Sequence, residues 1–168
     1  PHQFRRGYML PLVKDQQGNH SDSSNYRGIT ISPIISKVLA HVLKATFSNH
    51  LTTSQYQFGF KKNSSTVHAL HCLCETVSYY INNDSRVFCT FLDASKAFDR
   101  LVQSGLFIKL KSRNVPVTFI NLIISWYSEL SGCVKWADEY SEWLAVTAGV
   151  RQGGILSRDF YSIYVDHL

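Results

Sequence analysis

The chain has 168 residues, a size typical of one compact domain and too small for two ordinary ones. Hydrophobic residues make up 45% and charged residues 17%, a balance that supplies a core and argues against a disordered chain. The chain has 17 Lys and Arg against 12 Asp and Glu, which gives a net charge of +5. This charge favours a polyanionic partner, but it counts only as support for a motif found elsewhere in the sequence.

The sequence also indicates the cellular location of the protein and the state of its cysteines. It contains no apolar run of about eighteen residues, and its first residues are charged rather than typical of a signal segment. We therefore expect no membrane partner, no secretion, and an intracellular location in the nucleus or the cytoplasm. The four cysteines lack the spacing of a disulfide framework or a zinc site, so we expect reduced, mostly buried thiols.

The first predicted elements are an arm and two helices. Residues 1–27 are polar except for one apolar run, which predicts a peripheral extended arm or edge strand followed by a loop. Ser32 and Pro33 then begin a helix, and a second helix follows Ser65 and ends at 82–84. Apolar residues three and four apart predict one buried face on each helix: Ile35, Val38, Leu39, Val42, Leu43 and Phe47 on the first, and Val67, Leu70, Cys74, Val77 and Ile81 on the second.

A strand, two helices, a hairpin and a last helix follow. Residues 86–92 are β-branched and aromatic and too few for a helix, so they predict a buried strand. Helical patterns recur at 106–113 and 116–130, and two apolar stretches, 133–136 and 143–146, predict a hairpin. This order of elements predicts an α+β fold with helices packed on a small antiparallel sheet.

The last predicted helix begins at Ser157. Its inward-facing residues are expected to be Phe160, Ile163, Tyr164 and Leu168. The helical pattern continues to the end of the sequence without a cap, which indicates a truncated chain.

Residues 91–99 contain Asp93, the side chain in this sequence that is most typical of a metal-binding site. An apolar strand that runs straight into Asp93 places a carboxylate at a sheet edge, facing a cleft. Together with the backbone carbonyl of Ala94, this carboxylate could hold half of a Mg²⁺ site, because the ion takes oxygen ligands and keeps positions open for phosphate. The alternative is that Asp93 caps the following turn. For Asp99 we expect a structural role, as a helix cap or a partner of Arg100.

Two further features could belong to the same site. Phe98 follows Asp93 by five residues, so its ring could wall the sugar pocket of a metal-bound triphosphate, although core packing is the alternative. Residues 149–154 form a glycine-rich turn whose amides suit an anion or a nucleic-acid backbone, without the spacing of a known phosphate loop. Gln152 within this turn could contact a base or a sugar hydroxyl, or simply face solvent.

Basic and aromatic residues occur together in three places. These are Arg5, Arg6 and Lys14 in the arm, Arg27 after Tyr26, and Lys61 and Lys62 after Phe58 and Phe60. Cations for phosphates and rings for stacking suit a single-stranded or hybrid nucleic acid. Each charge taken singly is more often a solvated surface residue.

Taken in order, these motifs resemble the reverse transcriptase domain of non-LTR (LINE-like) retrotransposons. The resemblance rests on Met9-Leu10-Pro11-Leu12-Val13-Lys14, Asn25-Tyr26-Arg27-Gly28-Ile29, Gln57-Phe58-Gly59-Phe60 with Ser64-Ser65-Thr66, residues 91–99 as motif A and residues 149–157 as motif B. It implies a right-hand polymerase of which residues 1–168 are a part, about 1–85 being fingers and about 86–168 palm with some fingers elements. The chain would end before the aromatic-x-Asp-Asp motif of the family.

The resemblance also implies an activity and the residues that serve it. The family extends a DNA primer on an RNA template with deoxynucleoside triphosphates, using Mg²⁺ or Mn²⁺ in a two-metal displacement. Asp93 takes the place of a catalytic, metal-binding aspartate, with the carbonyl of Ala94 beside it. The implied nucleotide-binding residues are Phe98, Gln152, Gly153, Lys14 and Arg27, and the expected nucleic-acid-binding residues are Lys61, Lys62 and Arg151.

The chain departs from the family at two places, which indicates a decaying copy or a fragment. Leu156-Ser157-Arg158 stands where members generally read Leu-Ser-Pro, and Val165-Asp166-His167 stands where many read Val-Asp-Asp. One aspartate cannot hold two ions, so we expect metal and activity only in the full-length parent. A non-catalytic remnant that binds RNA or an RNA/DNA hybrid is the alternative hypothesis. A phosphoacceptor role for Asp93 is excluded, because no repeated strand-helix alternation surrounds it.

Overall fold

A computed structural model of the chain describes the backbone of residues 2–166 and the side chains of residues 3–166. The helices and strands are, in chain order, β1 (Arg6–Val13), β2 (Tyr26–Ile31), α1 (Ile34–Thr46), α2 (Thr66–Asn82), α3 (Gln103–Ser112), α4 (Val117–Tyr127), β3 (Ser131–Trp136), β4 (Glu139–Tyr140), β5 (Leu144–Ala145) and α5 (Ser157–Val165). Short 3₁₀ helices lie at His2–Arg5, Ser23–Asn25 and Ser48–His50. The α+β class is confirmed, and the division near residue 85 stays a prediction. Leu168 lies outside the described residues.

The sheet is mixed, in the order β2-β1-β3-β4, with β5 also paired to β3. β1 runs antiparallel to β2 but parallel to β3, so the expectation of a purely antiparallel sheet is wrong. β1 is also central, and not a peripheral arm. Pro11 is compatible with this position because β3 pairs only with Arg6 to Met9, which leaves β2 as the sole described neighbour of β1 at the proline.

The predicted hairpin is present with one more strand than expected. The chain turns at Ala137, which has a φ of 51°, from β3 into β4, and β5 then pairs with the start of β3. Cys133 in β3 is buried, whereas the other three cysteines are exposed, so the expectation of mostly buried thiols is wrong.

The core lies among the helices. α3 packs on both α4 and α5, and their buried residues include Leu106, Leu110, Phe119, Ile123, Phe160 and Ile163. α5 begins at Ser157 as predicted, with Phe160 and Ile163 buried. Two ion pairs brace this helix: Lys44 of α1 to Asp159 at 2.7 Å, and Arg113 to Asp166 at 2.7 Å.

Helix α1 buries only part of the face predicted for it: Leu43 is buried, and Leu39 and Phe47 pack against the core. Ile35, Val38 and Val42 are exposed, whereas Ser36, Ala40 and Leu43 are buried. The Ser36 hydroxyl donates to the carbonyl of Phe4 at 2.9 Å, so the side of α1 that carries Ser36 faces the start of the chain. Hydrophobicity alone could not show which side of α1 meets its neighbours.

Helix α2 has the predicted bounds but an unexpected environment. The Ser65 hydroxyl accepts from the backbone amide of His68, as an N-cap should, and the helix ends at Asn82. None of its residues is fully buried, so the predicted apolar stripe, including Val67, Leu70 and Ile81, does not enter the core.

Residues 87–92 form no regular structure, which contradicts the predicted buried strand. Phe88 and Leu92 are 90% and 93% exposed. A strand needs a neighbour for its backbone groups, and no strand within residues 2–166 pairs with this segment. β-propensity describes side chains that fit a sheet and cannot supply the missing partner.

Two positions on α3 test where the core lies. Leu110→Ala should lower the free energy of unfolding by about 2–5 kcal/mol, because it leaves a cavity at a fully buried site. Ile108→Ala, on the same helix at a side chain 68% exposed, should change it by less than about 0.5 kcal/mol. Urea unfolding of both variants measures the difference, and equal losses would contradict the assigned core.

Candidate nucleotide and nucleic-acid site

The glycine-rich turn lies directly against the chain that follows Phe98. The Gly149 amide donates to the carbonyl of Leu101 at 2.7 Å, and the Val150 amide donates to the carbonyl of Phe98 at 2.8 Å. The side-chain amide of Gln103 donates to the Gly149 carbonyl at 3.2 Å. Two segments about fifty residues apart in sequence therefore form one backbone-bonded unit.

Glycine is required where these segments touch. Gly149 has a φ of +79°, which favours residues without a side chain. A Cβ atom there would lie 2.7 Å from the carbonyl oxygens of both Phe98 and Asp99, closer than real Cβ contacts. Backbone atoms cannot move aside as a flexible side chain can.

Gln152 joins the turn to a third segment. The side-chain amide of Gln152 donates to Oδ1 of Asp99 at 2.8 Å, and the backbone carbonyl of Gln152 accepts from the backbone amide of Thr30 in β2 at 2.9 Å. The predicted helix-cap role of Asp99 is wrong, because the N-cap of α3 is Val102 and no side chain of the described residues caps this helix. A tertiary partner such as Gln152 carries no local sequence signal.

Around this junction lies a cavity of about 820 Å³. All five residues predicted to bind nucleotide line it: Lys14, Arg27, Phe98, Gln152 and Gly153. They come from the end of β1, from β2, and from the two segments joined at Gly149. The structure brings them together, and their binding roles stay predictions.

The cavity is strongly basic. Lys14, Arg27, Lys96 and Arg158 line it and are exposed, whereas Asp99 is the one acidic residue among the described lining residues. Lys96 and Arg158 are not among the residues predicted from the sequence. The only sequence signal for Arg158 is its departure from the Leu-Ser-Pro of the family, which by itself indicates a decaying copy as readily as a binding residue.

Phe98 serves the core and the cavity at once. Its ring stacks on Tyr161 of α5, with centroids 4.9 Å apart and planes at 26°, and meets Phe60 edge-on at 5.9 Å. The side chain is half-buried and also lines the cavity. Core packing and a wall for a bound nucleotide are therefore compatible roles for the same ring.

The predicted metal ligand, Asp93, is not among the residues that line the cavity. Asp93 and Ala94 are exposed, in the segment without regular structure, and neither lines the cavity. Within residues 2–166, no three His, Cys, Asp or Glu side chains are grouped to hold a metal ion. The described residues therefore do not fit a complete metal centre, and the role of Asp93 stays a prediction.

Of the predicted nucleic-acid contacts, Arg151 is half-buried and bonded to the protein. Its guanidinium donates to the Ser32 hydroxyl at 3.2 Å and to the carbonyl of Arg5. Burial lowers the pKa of the Arg151 guanidinium, and burial raises the pKa of the neighbouring Tyr127 phenol. These contacts tie the glycine-rich turn to the start of β1, and a nucleic-acid role for Arg151 stays a prediction.

The other two predicted nucleic-acid contacts lie outside the cavity lining. Lys61 donates to the carbonyls of Thr53, at 3.2 Å, and of Ser54, so its ammonium already has protein partners. Lys62 is exposed. The roles of Lys61 and Lys62 in binding nucleic acid stay predictions.

Comparison with known proteins gives consistent matches over nearly the whole chain. The sequence profile described as "Reverse transcriptase (RNA-dependent DNA polymerase)" matches residues 14–168. The chain is 30% identical to a probable RNA-directed DNA polymerase from transposon X-element of Drosophila melanogaster, covering 98% of this chain and 18% of that protein. It is 26% identical to a probable RNA-directed DNA polymerase from transposon BS of the same organism, covering 100% of this chain and 19% of that protein.

A third relative is the RNA-directed DNA polymerase from mobile element jockey of Drosophila melanogaster, 26% identical over 88% of this chain and 16% of that protein. The matched profile and these relatives place the chain among the polynucleotide polymerases. More narrowly, it belongs to the reverse transcriptase family, and the resemblance to the reverse transcriptase domain of non-LTR, LINE-like elements is confirmed. The chain spans less than a fifth of the length of these relatives. None of its described helices is long and apolar enough to cross a membrane.

Substitution of Gly149 tests the backbone contact between the glycine-rich turn and residues 98–101. Gly149→Ala should lower the free energy of unfolding by at least about 1–3 kcal/mol, because of both the positive φ and the backbone overlap. Gly59→Ala is the matched control, since a Cβ atom there meets nothing within 4 Å. Denaturant unfolding measures both variants. A Gly149→Ala protein as stable as the control would show that the segments do not touch as described.

Proposed function

We propose that this chain is the nucleotide- and template-binding part of a reverse transcriptase from a LINE-like retrotransposon. In the full-length parent it would serve RNA-directed DNA synthesis by nucleotidyl transfer. The observation that carries the proposal is the convergence of all five predicted nucleotide residues on one basic cavity. Such a protein would act in the nucleus or the cytoplasm.

The cavity has the chemistry that a deoxynucleoside triphosphate and a nucleic-acid strand require. Lys14 and Arg27 supply charge for phosphates, and charge-assisted bonds to phosphate are stronger than neutral ones. The ring of Phe98 offers an apolar wall beside the position of a sugar. Gln152, held by Asp99, keeps its side-chain carbonyl as an acceptor for a base or a sugar hydroxyl.

Metal is assigned to the full-length protein. The reverse transcriptase family uses divalent metal ions, and Mg²⁺ or Mn²⁺ is the proposed cofactor, with Asp93 as one ligand. Residues 2–166 hold no complete ligand set. We therefore propose that this chain alone does not polymerise.

One observation favours a second candidate function, a non-catalytic module that binds RNA or an RNA/DNA hybrid. The basic cavity is fully formed by the described residues, whereas the predicted metal ligand Asp93 lies outside it. Binding could therefore persist without turnover, through cations and rings alone.

A chimera decides between these two functions. This chain would replace the matching segment of the X-element relative, so that the rest of a polymerase is supplied. Primer extension on an RNA template with Mg²⁺ or Mn²⁺ should occur and should fall at least about a hundredfold on Asp93→Ala, because a metal ligand supports several kcal/mol of transition-state stabilisation. Glu75→Ala, at an exposed carboxylate on α2, is the control and should leave extension unchanged.

The outcomes separate the candidates. Extension that survives Asp93→Ala would contradict the catalytic role of this carboxylate. Template binding without extension, by a chimera that melts cooperatively, would favour the non-catalytic module. Incorporation by the 168-residue chain alone that Asp93→Ala abolishes would overturn the proposal that this chain does not polymerise.

A further inference from the structure

Arg158 occupies a position where the resemblance implies proline. It is the second residue of α5, its side chain is exposed, and it lines the basic cavity. A proline there would pre-set the backbone of the first helical turn, and arginine gives up that advantage. What arginine adds is a positive charge at the cavity wall.

That charge has no protein partner in the part of the chain that the structure describes. The neighbouring carboxylate, Asp159, is held by both of its oxygens on Lys44, at 2.9 and 2.7 Å. The carboxylate that does line the cavity, Asp99, accepts the hydrogen bond from Gln152. A cation in the first turn of a helix is also disfavoured by the helix dipole. An anion that enters the cavity would relieve this repulsion.

Three other cations face the same space. Lys14, Arg27 and Lys96 line the cavity together with Arg158. The charges come from the residue after β1, from β2, from the segment before Phe98 and from α5, so four separate parts of the chain converge. A volume of about 820 Å³ is within the usual range for a site that encloses a nucleotide-sized ligand.

We propose that Arg158 is a phosphate-binding residue of this cavity. The assignment rests on the proposed function and goes beyond it, because it gives this chain a phosphate contact at a position where the resemblance implies none. A guanidinium binds phosphate with two parallel hydrogen bonds, which lysine cannot reproduce. The phosphate belongs either to the triphosphate of a nucleotide or to the backbone of a nucleic-acid strand.

The experiment measures dissociation constants of the 168-residue chain for two probes. Inorganic tripolyphosphate represents the nucleotide, and a fluorescein-labelled RNA/DNA hybrid represents the strand. Arg158→Gln should weaken binding of at least one probe about three- to tenfold and, for the hybrid, lower the slope of log K against log salt by about one. Arg158→Lys should retain part of the affinity. Arg86→Gln, at an exposed arginine outside the cavity lining, is the matched control and should change neither.

The melting temperature separates binding from folding. Arg158→Gln removes a cation from the start of a helix, so its melting temperature should stay equal or rise. Weakened tripolyphosphate binding identifies a nucleotide phosphate, weakened hybrid binding identifies a strand phosphate, and either result supports the proposal. Unchanged affinity, an equal loss in Arg86→Gln, loss only with a lower melting temperature, or no binding by the unsubstituted chain would each overturn it.

Two further variants separate this inference from the proposed function. Lys14→Gln and Arg27→Gln are measured with the same probes. If they weaken binding and Arg158→Gln does not, the inference about Arg158 fails and the proposed function stands. If none of the three variants weakens binding, the cavity itself is not the phosphate site.

Discussion

The contact of Gly149 with the backbone of residues 98–99 is the constraint on which the candidate site depends. Because no side chain intervenes, the amides of Gly149 and Val150 reach the carbonyls of Leu101 and Phe98. The next residues of the turn are then in place for Gln152 to bond Asp99 and Thr30. A bulkier residue at position 149 would separate the segments and open the cavity.

Further contacts of the glycine-rich turn, on its side away from the cavity, hold the candidate site in place. Arg151 points away from the cavity and hydrogen-bonds to Arg5 and Ser32, which ties the turn to the sheet and to the start of α1. A half-buried guanidinium is tolerated because its donors meet protein acceptors. On the cavity side, Phe98 stacks on Tyr161, so the core of α5 fixes the ring. Packing therefore fixes the positions of the site residues, and the exposed cations supply the positive charge of the cavity.

Features that depend on local sequence could be predicted. Ser65 caps α2 and Ser157 begins α5, as their residue types and spacing indicate. The five residues predicted to bind nucleotide line one cavity, and their binding roles stay predictions. They came from the ordered resemblance to a family, since no periodicity relates residues so far apart in the chain.

Features that depend on a distant partner could not be predicted. Residues 86–92 have strand propensity, but a strand forms only where a neighbour completes its hydrogen bonds. The buried side of α1 includes Ser36, whose partner Phe4 is 32 residues away in sequence, and the central place of β1 depends on β3. In the same way, the contact of Asp99 with Gln152 and the half-buried position of Arg151 depend on residues far away in sequence.

The central claim is that the segments joined at Gly149 form a site for a nucleotide. Amide chemical shifts of the ¹⁵N-labelled 168-residue chain, followed during titration with a deoxynucleoside triphosphate, test it most directly. Saturable shifts at Phe98, Asp99, Gln152 and Gly153, with the amides of α2 unmoved, are the predicted result. Shifts confined to α2, or no saturable change at the glycine-rich turn, would contradict the claim.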